Sequence, residues 1–152
     1  VRPANTTGYT ANEVVNDDIG FMLTIPNAVR APGGACELNA IVVKTDQGGG
    51  AQTWRPKVFL HQTPRLAFLA DNAVITLSYT IQRQTGYLGN VLLPALAPPA
   101  GTTIDEATIN NLNVVLHAAP DRKDLYFDLQ TLDAFTPGSG ALYEVEFLLT
   151  QL

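Results

Sequence analysis

From residue 20 onward the apolar residues come in short runs, rich in Val, Ile, Thr, Phe and Tyr, and cut by clusters of Gly, Pro, Asn and Asp. An amphipathic helix repeats its apolar positions every three to four residues over about ten or more; these runs are too short and too β-branched for that, and they read as strands. The predicted strands are 20–25, 37–44, 53–61, 73–82, 87–93, 113–118, 124–132 and 143–150. In a chain of 152 residues they fit an all-β, single-domain, jelly-roll-like β-sandwich spanning 13–152, preceded by an extended arm, 1–12, that holds Pro, Gly, Asn and Thr but little periodic apolar content.

Side-chain alternation sharpens this expectation late in the chain. Leu125, Phe127 and Leu129 share one face of their strand and Tyr126, Asp128 and Gln130 the other, which predicts one dry face. Val145, Phe147 and Leu149 alternate with Glu144, Glu146 and Leu148 in the same way. The run 73–82 is nearly continuous and reads as a strand buried on both faces. Loops are expected at 31–34, 47–50, 94–101 and 137–140, where Gly and Pro cluster. Thr103 and Glu106 have capping-box spacing, which predicts a short helix through Asn111; another helical turn is expected within 64–71. Pro56 lacks a backbone donor and so predicts a strand edge or a bulge.

Composition excludes several classes. The formal charge is −5, from 9 basic and 14 acidic residues, against nucleic-acid binding and polybasic membrane attachment, both of which run on cations. Charged residues make up 15%, below the usual fraction of about 25%, as suits a surface that lies against other proteins. The start of the chain has no apolar core of the signal-peptide kind, and no run reaches the length of a membrane span, so a soluble protein made in a cytoplasm is expected. Cys36 is the one cysteine, which rules out an intrachain disulfide and any cysteine-based zinc site; it reads as a small buried apolar residue.

Material for catalysis is thin. A nucleophile needs a base within hydrogen-bond reach, and the chain offers Ser78, Ser139, Cys36, His61 and His117. Ser139 sits in a Gly-Ser-Gly turn, not a nucleophile elbow. Neither histidine belongs to a metal-ligand pattern, and structural or solvent-facing roles are expected for both. The loop pairs Asp17–Asp18, Asp105–Glu106 and Asp121 with Asp124 are at most surface calcium ligands. No cofactor and no enzymatic activity are expected. Trp54 and Tyr87 are the aromatics whose exposure would make a sugar-binding platform.

The opening Arg2-Pro3-Ala4-Asn5-Thr6-Thr7-Gly8-Tyr9-Thr10-Ala11-Asn12-Glu13-Val14-Val15 resembles the start of the cement, or head-decoration, proteins of tailed bacteriophages. The likeness continues in the same order through the Asn27 to Gly34 turn, through Pro64 with Ala70-Asp71-Asn72-Ala73, through Gly86-Tyr87-Leu88-Gly89, and to Asp133-Ala134-Phe135-Thr136-Pro137. The resemblance implies a jelly-roll-type sandwich, usually a homotrimer. It would sit on the outer surface of the virion capsid and clamp neighbouring major capsid protein subunits of the expanded shell. Within it, Arg2, Pro3, Thr7, Tyr9 and Val14 are the expected capsid contacts, with Arg2 bonding carboxylates and Tyr9 serving as a rigid anchor. Phe135, Thr136 and Pro137 form a tip loop for capsid or trimer contacts. The arm is expected to be removable through residue 12 with the domain still folded. A carbohydrate- or receptor-binding sandwich of a phage tail or baseplate is the alternative.

Overall fold

The computed structural model describes residues 8–15, 22–46, 53–66, 69, 71–99, 103–137 and 141–152. Its elements are β1 (Leu23–Ile25), β2 (Ala35–Asp46), β3 (Pro56–His61), α1 (Tyr79–Thr85), β4 (Tyr87–Leu92), β5 (Ile104–Ile109), β6 (Val114–His117), β7 (Leu125–Thr131) and β8 (Tyr143–Gln151). One sheet has the order β1-β7-β3-β4. In the other, β2 is central, with β8 along one side and β5 and β6 sharing the other. Every pairing is antiparallel, and the chain crosses between sheets repeatedly. The all-β sandwich read from the sequence is therefore the observed architecture.

The core lies between the sheets. Leu38, Ile41 and Val43 of β2 and Leu116 of β6 meet Val58 and Leu60 of β3 and Leu125, Phe127 and Leu129 of β7. Each such side chain, removed from water, contributes about 1.5–3 kcal/mol of transfer free energy. Strand β2 keeps its apolar residues inward over twelve positions only by changing phase. Its register against β8 shifts between Leu38 and Ala40, so Asn39 is an extra residue. Cys36 and Leu38 face the core before it; Ile41, Val43 and Thr45 do so after it. The bulge is satisfied: Asn39 Nδ2 donates to Thr150 Oγ1 at 2.9 Å, and its carbonyl accepts from Leu112 N at 3.1 Å.

Five expectations are corrected. The run 73–82 is not a strand: Val74 makes a single bridge to Glu13, and α1 begins at Tyr79. Ser78 caps that helix by accepting from Ile81 N, and Gly86 ends it with φ 57°, its N–H bonded to Gln82 O. Residues 103–111 hold β5 in place of the predicted helix. Ile104–Ile109 alternates with period two, with Asp105 and Ala107 buried, and ladder pairing with residues 41–46 of β2 outweighs the local cap. Glu106 accepts from Thr108 Oγ1 rather than turning back to Thr103. Pro56 opens an inner strand, the first position being the one where a missing donor costs least. Within 64–71 the described residues are not helical.

The fifth correction concerns β7, where all seven residues are buried rather than one face only. Its outward face is covered by a second, smaller apolar cluster, Val14, Phe59 and Ile75 with Leu69, Ala73 and Leu77 around them. Within the run, Ala73, Ile75 and Leu77 pack into that cluster as its lid, while Val74 and Thr76 are exposed.

Candidate functional site

Residues 8–15, placed by the sequence partly in a free arm, are part of the sandwich. Strand β1 pairs only with residues 125–127 of β7, leaving the rest of that edge open, and the segment around Val14 fills it. Val15 N donates to Leu129 O at 2.8 Å, Thr131 N to Glu13 O at 2.9 Å, and Val14 N to Ala73 O on the far side at 2.8 Å. A turn held by Glu13, whose carboxylate accepts from Thr10 N and Thr10 Oγ1, sets the entry angle. Asn12 takes a positive φ of 71° there, a conformation Asn tolerates better than most residues.

Tyr9 lies at the head of this segment and is 2% exposed. Its backbone bridges Phe135 in both directions, at 2.8 and 3.2 Å, and its hydroxyl donates to Asp71 Oδ1 at 2.6 Å. The Tyr9 and Phe135 rings stack at 4.8 Å, Phe135 stacks on Trp54 at 4.8 Å, and Tyr143 meets Trp54 edge-on at 6.0 Å. Pairs of this geometry add roughly 0.5–1.5 kcal/mol each beyond their burial. Two regions that the sequence marked separately, the arm and the tip loop, are thus partners of one another.

This placement corrects several residue assignments. Tyr9 and Val14 are buried in their own chain, so their side chains are not surface contacts for a capsid. Phe135 is half-buried in the stack and Pro137 is buried; of the tip loop, Thr136 is the exposed residue. Trp54 is 1% exposed, and Tyr87 is packed near Phe59 and His61, so the aromatic platform required by a sugar-binding reading is not formed by them. Arg2, Pro3, Thr7, Asp17, Asp18, Ser139 and the 47–50 tip lie outside the described residues.

A polar cluster that sequence reasoning missed sits beside β7. Asp128 of β7, His61 of β3 and Arg65 of the following loop have side chains 1%, 0% and 7% exposed. Arg65 Nη2 donates to Asp128 Oδ1 at 2.7 Å. Thr85, at the end of α1, donates its hydroxyl to Ile81 O at 2.9 Å and so accepts the Nδ1–H of His61 at 2.8 Å. That assigns the lone pair to Nε2, which faces Asp128 Oδ2 at 3.8 Å, and neither atom has a hydrogen-bond partner. Burial holds His61 down to about 4, assisted by the Arg65 charge, and pushes Asp128 up to about 6 against the pull of Arg65.

A histidine and a carboxylate are two members of a catalytic triad, and here both side chains are closed off from solvent. The hydrogen bonds of the cluster tie β3 to α1 and β7 to the loop after β3. The signal that a sequence carries for this is slight, an aspartate between Phe127 and Leu129 in an otherwise apolar strand. His117 is exposed on β6, Cys36 is fully buried with its thiol pushed up by burial, and Ser78 serves as a helix cap. Among the described residues no group of three or more His, Cys, Asp and Glu is placed to hold a metal ion, and no helix is long and apolar enough to cross a membrane.

Comparison of the chain with known protein families, with curated proteins and with solved structures gives no match.

Proposed function

We propose that this protein is a structural capsid cement, or decoration, protein of a tailed bacteriophage, a jelly-roll-like sandwich that binds the outer surface of the expanded head. It clamps neighbouring major capsid protein subunits, acts as a homotrimer, and performs no chemistry. The resemblance of the opening residues to such proteins supports this reading, and one structural observation carries it further. Tyr9 and Val14 are anchored in the core, so residues 1–7, with Arg2 and Thr7, start from a fixed point on the sandwich surface at the exposed Gly8. Anchoring the root of a binding segment cuts the entropy that docking must overcome. A protein that binds the assembled shell and not its dissociated subunits stabilises the shell by mass action.

The test is binding to purified expanded heads by the full chain and by a version lacking residues 1–7. The shortened protein is expected to keep its melting temperature and lose head binding. Unchanged affinity after the deletion, or no binding by the full chain, overturns the reading.

A further inference from the structure

Among the described residues, strand β8 is the one long edge of the sandwich with nothing to blunt it. Edge strands expose a row of backbone donors and acceptors, and proteins protect them with short length, bulges, Pro or Lys. Here β1 is three residues long. Strand β4 carries Gly89 at φ 137° and a register shift against β3. The edge shared by β5 and β6 is broken by Asn111 and Asn113, both with positive φ. Strand β8 runs nine residues, Tyr-Glu-Val-Glu-Phe-Leu-Leu-Thr-Gln, with no Pro, Gly or Lys. Along residues 144–151 the described chain places no backbone partner on its outer side.

The surroundings of this edge are apolar. Leu148 is 63% exposed on the outward face, the largest apolar side chain in a row otherwise made of Glu144, Glu146 and Thr150. Beneath the edge, between β8 and β1, a groove of about 370 Å³ is lined by Leu23, Ile25, Phe127, Tyr143, Val145 and Phe147. Sheet edges of this kind take up a further strand.

We infer that β8 pairs antiparallel with β8 of a second copy of this chain, about a two-fold axis at Leu148. Charge and apolar matching across the two-fold choose the register. Centred on Val145, the pairing sets Glu144 opposite Glu146 of the second copy; centred on Glu146, it sets that carboxylate against itself, and directly opposed like charges destabilise a sheet. Centred on Phe147, it leaves Leu148 facing a carboxylate, and centred on Leu149, it leaves Leu148 facing Thr150. Centred on Leu148, it stacks that leucine on its own copy, sets Glu146 opposite Thr150 and Glu144 opposite Leu152, and lays Phe147 against Leu149. The interface is isologous, so each copy also brings its own apolar groove to the other's. The edge carries this inference by itself. The proposed function adds only where the copies would meet, between neighbouring decoration units.

The experiment measures assembly mass by sedimentation equilibrium for the wild type, for Leu148→Lys, for Leu148→Glu and for an equal mixture of the two variants. Leu148 is largely solvent-exposed, and Trp54 emission reports that each variant is folded. The wild type is expected as a dimer of the 16.3 kDa chain, or as an even multiple of any other oligomer it forms. Each variant alone is expected to dissociate about tenfold or more readily, since it sets like charges opposite one another. The mixture is expected to regain the wild-type mass by pairing Lys with Glu. A wild type that shows only the mass of the single variants overturns the pairing, as does either variant assembling like wild type or a folded mixture that stays apart. Head binding measured on the same samples separates this outcome from the cement reading. Variants that bind heads without self-pairing uphold that reading and the leucine contact together, whereas a wild type that self-pairs but ignores heads sinks the cement reading alone.

Discussion

Replacing Asp128 by Asn removes the negative charge from a side chain that is 1% exposed and leaves the Arg65 guanidinium, 7% exposed, without its counter-charge. Leaving one buried charge unpaired costs about 3–5 kcal/mol. A second effect appears as a pH dependence. In the wild type the Asp128 carboxyl, raised from 3.8 to about 6, holds its proton more tightly folded than unfolded, so its contribution is full below pH 3.8 and is lost as pH rises through 6. His61, lowered from 6.5 to about 4, acts in the opposite sense: its contribution is full above pH 6.5 and is lost as pH falls to 4. Each is worth about 3 kcal/mol over nearly the same window. They cancel, and the cluster leaves the wild type almost indifferent to pH there. In Asp128→Asn only the His61 limb survives, so stability should climb by about 3 kcal/mol between pH 4 and 6.5. Urea unfolding followed through Trp54, the single tryptophan, reads both numbers. Adding Arg65→Met should recover much of the loss, because an apolar replacement of both partners is often neutral. A loss below about 1 kcal/mol at pH 7, or an unchanged pH profile, refutes the account of the cluster.

Phe135→Ala removes the ring between Tyr9 and Trp54 and should cost about 2–4 kcal/mol, seen as a melting temperature lower by roughly 5–12 °C; a change under 2 °C would mean the stack contributes little. Deleting residues 1–12 takes away Tyr9 and the Asn12 contacts to β7 and should destabilise the fold by several degrees, whereas deleting 1–7 should not; equal melting curves would contradict the anchoring of Tyr9. Cys36, buried and with its thiol pushed up, should react with a disulfide reagent only as the protein opens, so native labelling at pH 8 should be far slower than labelling in denaturant.

Much of the sandwich is legible in period-two alternation, because a strand with one buried face writes that face into its sequence. Strands β2, β4, β6, β7 and β8 fall where the short β-branched runs place them, to within two residues at their ends. The failures have physical causes. The capping-box pattern at Thr103 is a local preference, and it yields to β2, which offers Ile104–Ile109 six ladder positions and a buried place for Ala107. The run 73–82 mixes two fates, a lid and a helix, and its Ser78 and Gly86 caps are small signals beside its β-branched residues. The buried polar cluster is less legible still: Arg65 and Asp128 stand 63 positions apart, and nothing local in either announces the other. Tyr9 and Phe135 each stand out in the sequence, but as contacts to another protein, since sequence alone does not say that two aromatic residues more than a hundred positions apart will face one another.

The central place of β2 sets a timetable as well as an architecture. Its partners β5, β6 and β8 are all made after it, the last of them about a hundred residues downstream. On a ribosome adding roughly 5–20 residues per second, β2 therefore emerges with Ile41 and Val43 exposed and waits for its long neighbour. Pairings so distant along the chain are also intrinsically slow to form. Until residues 143–151 are synthesised the sandwich cannot close, and the apolar face of its twelve-residue central strand is the surface most in need of protection while the chain is being made.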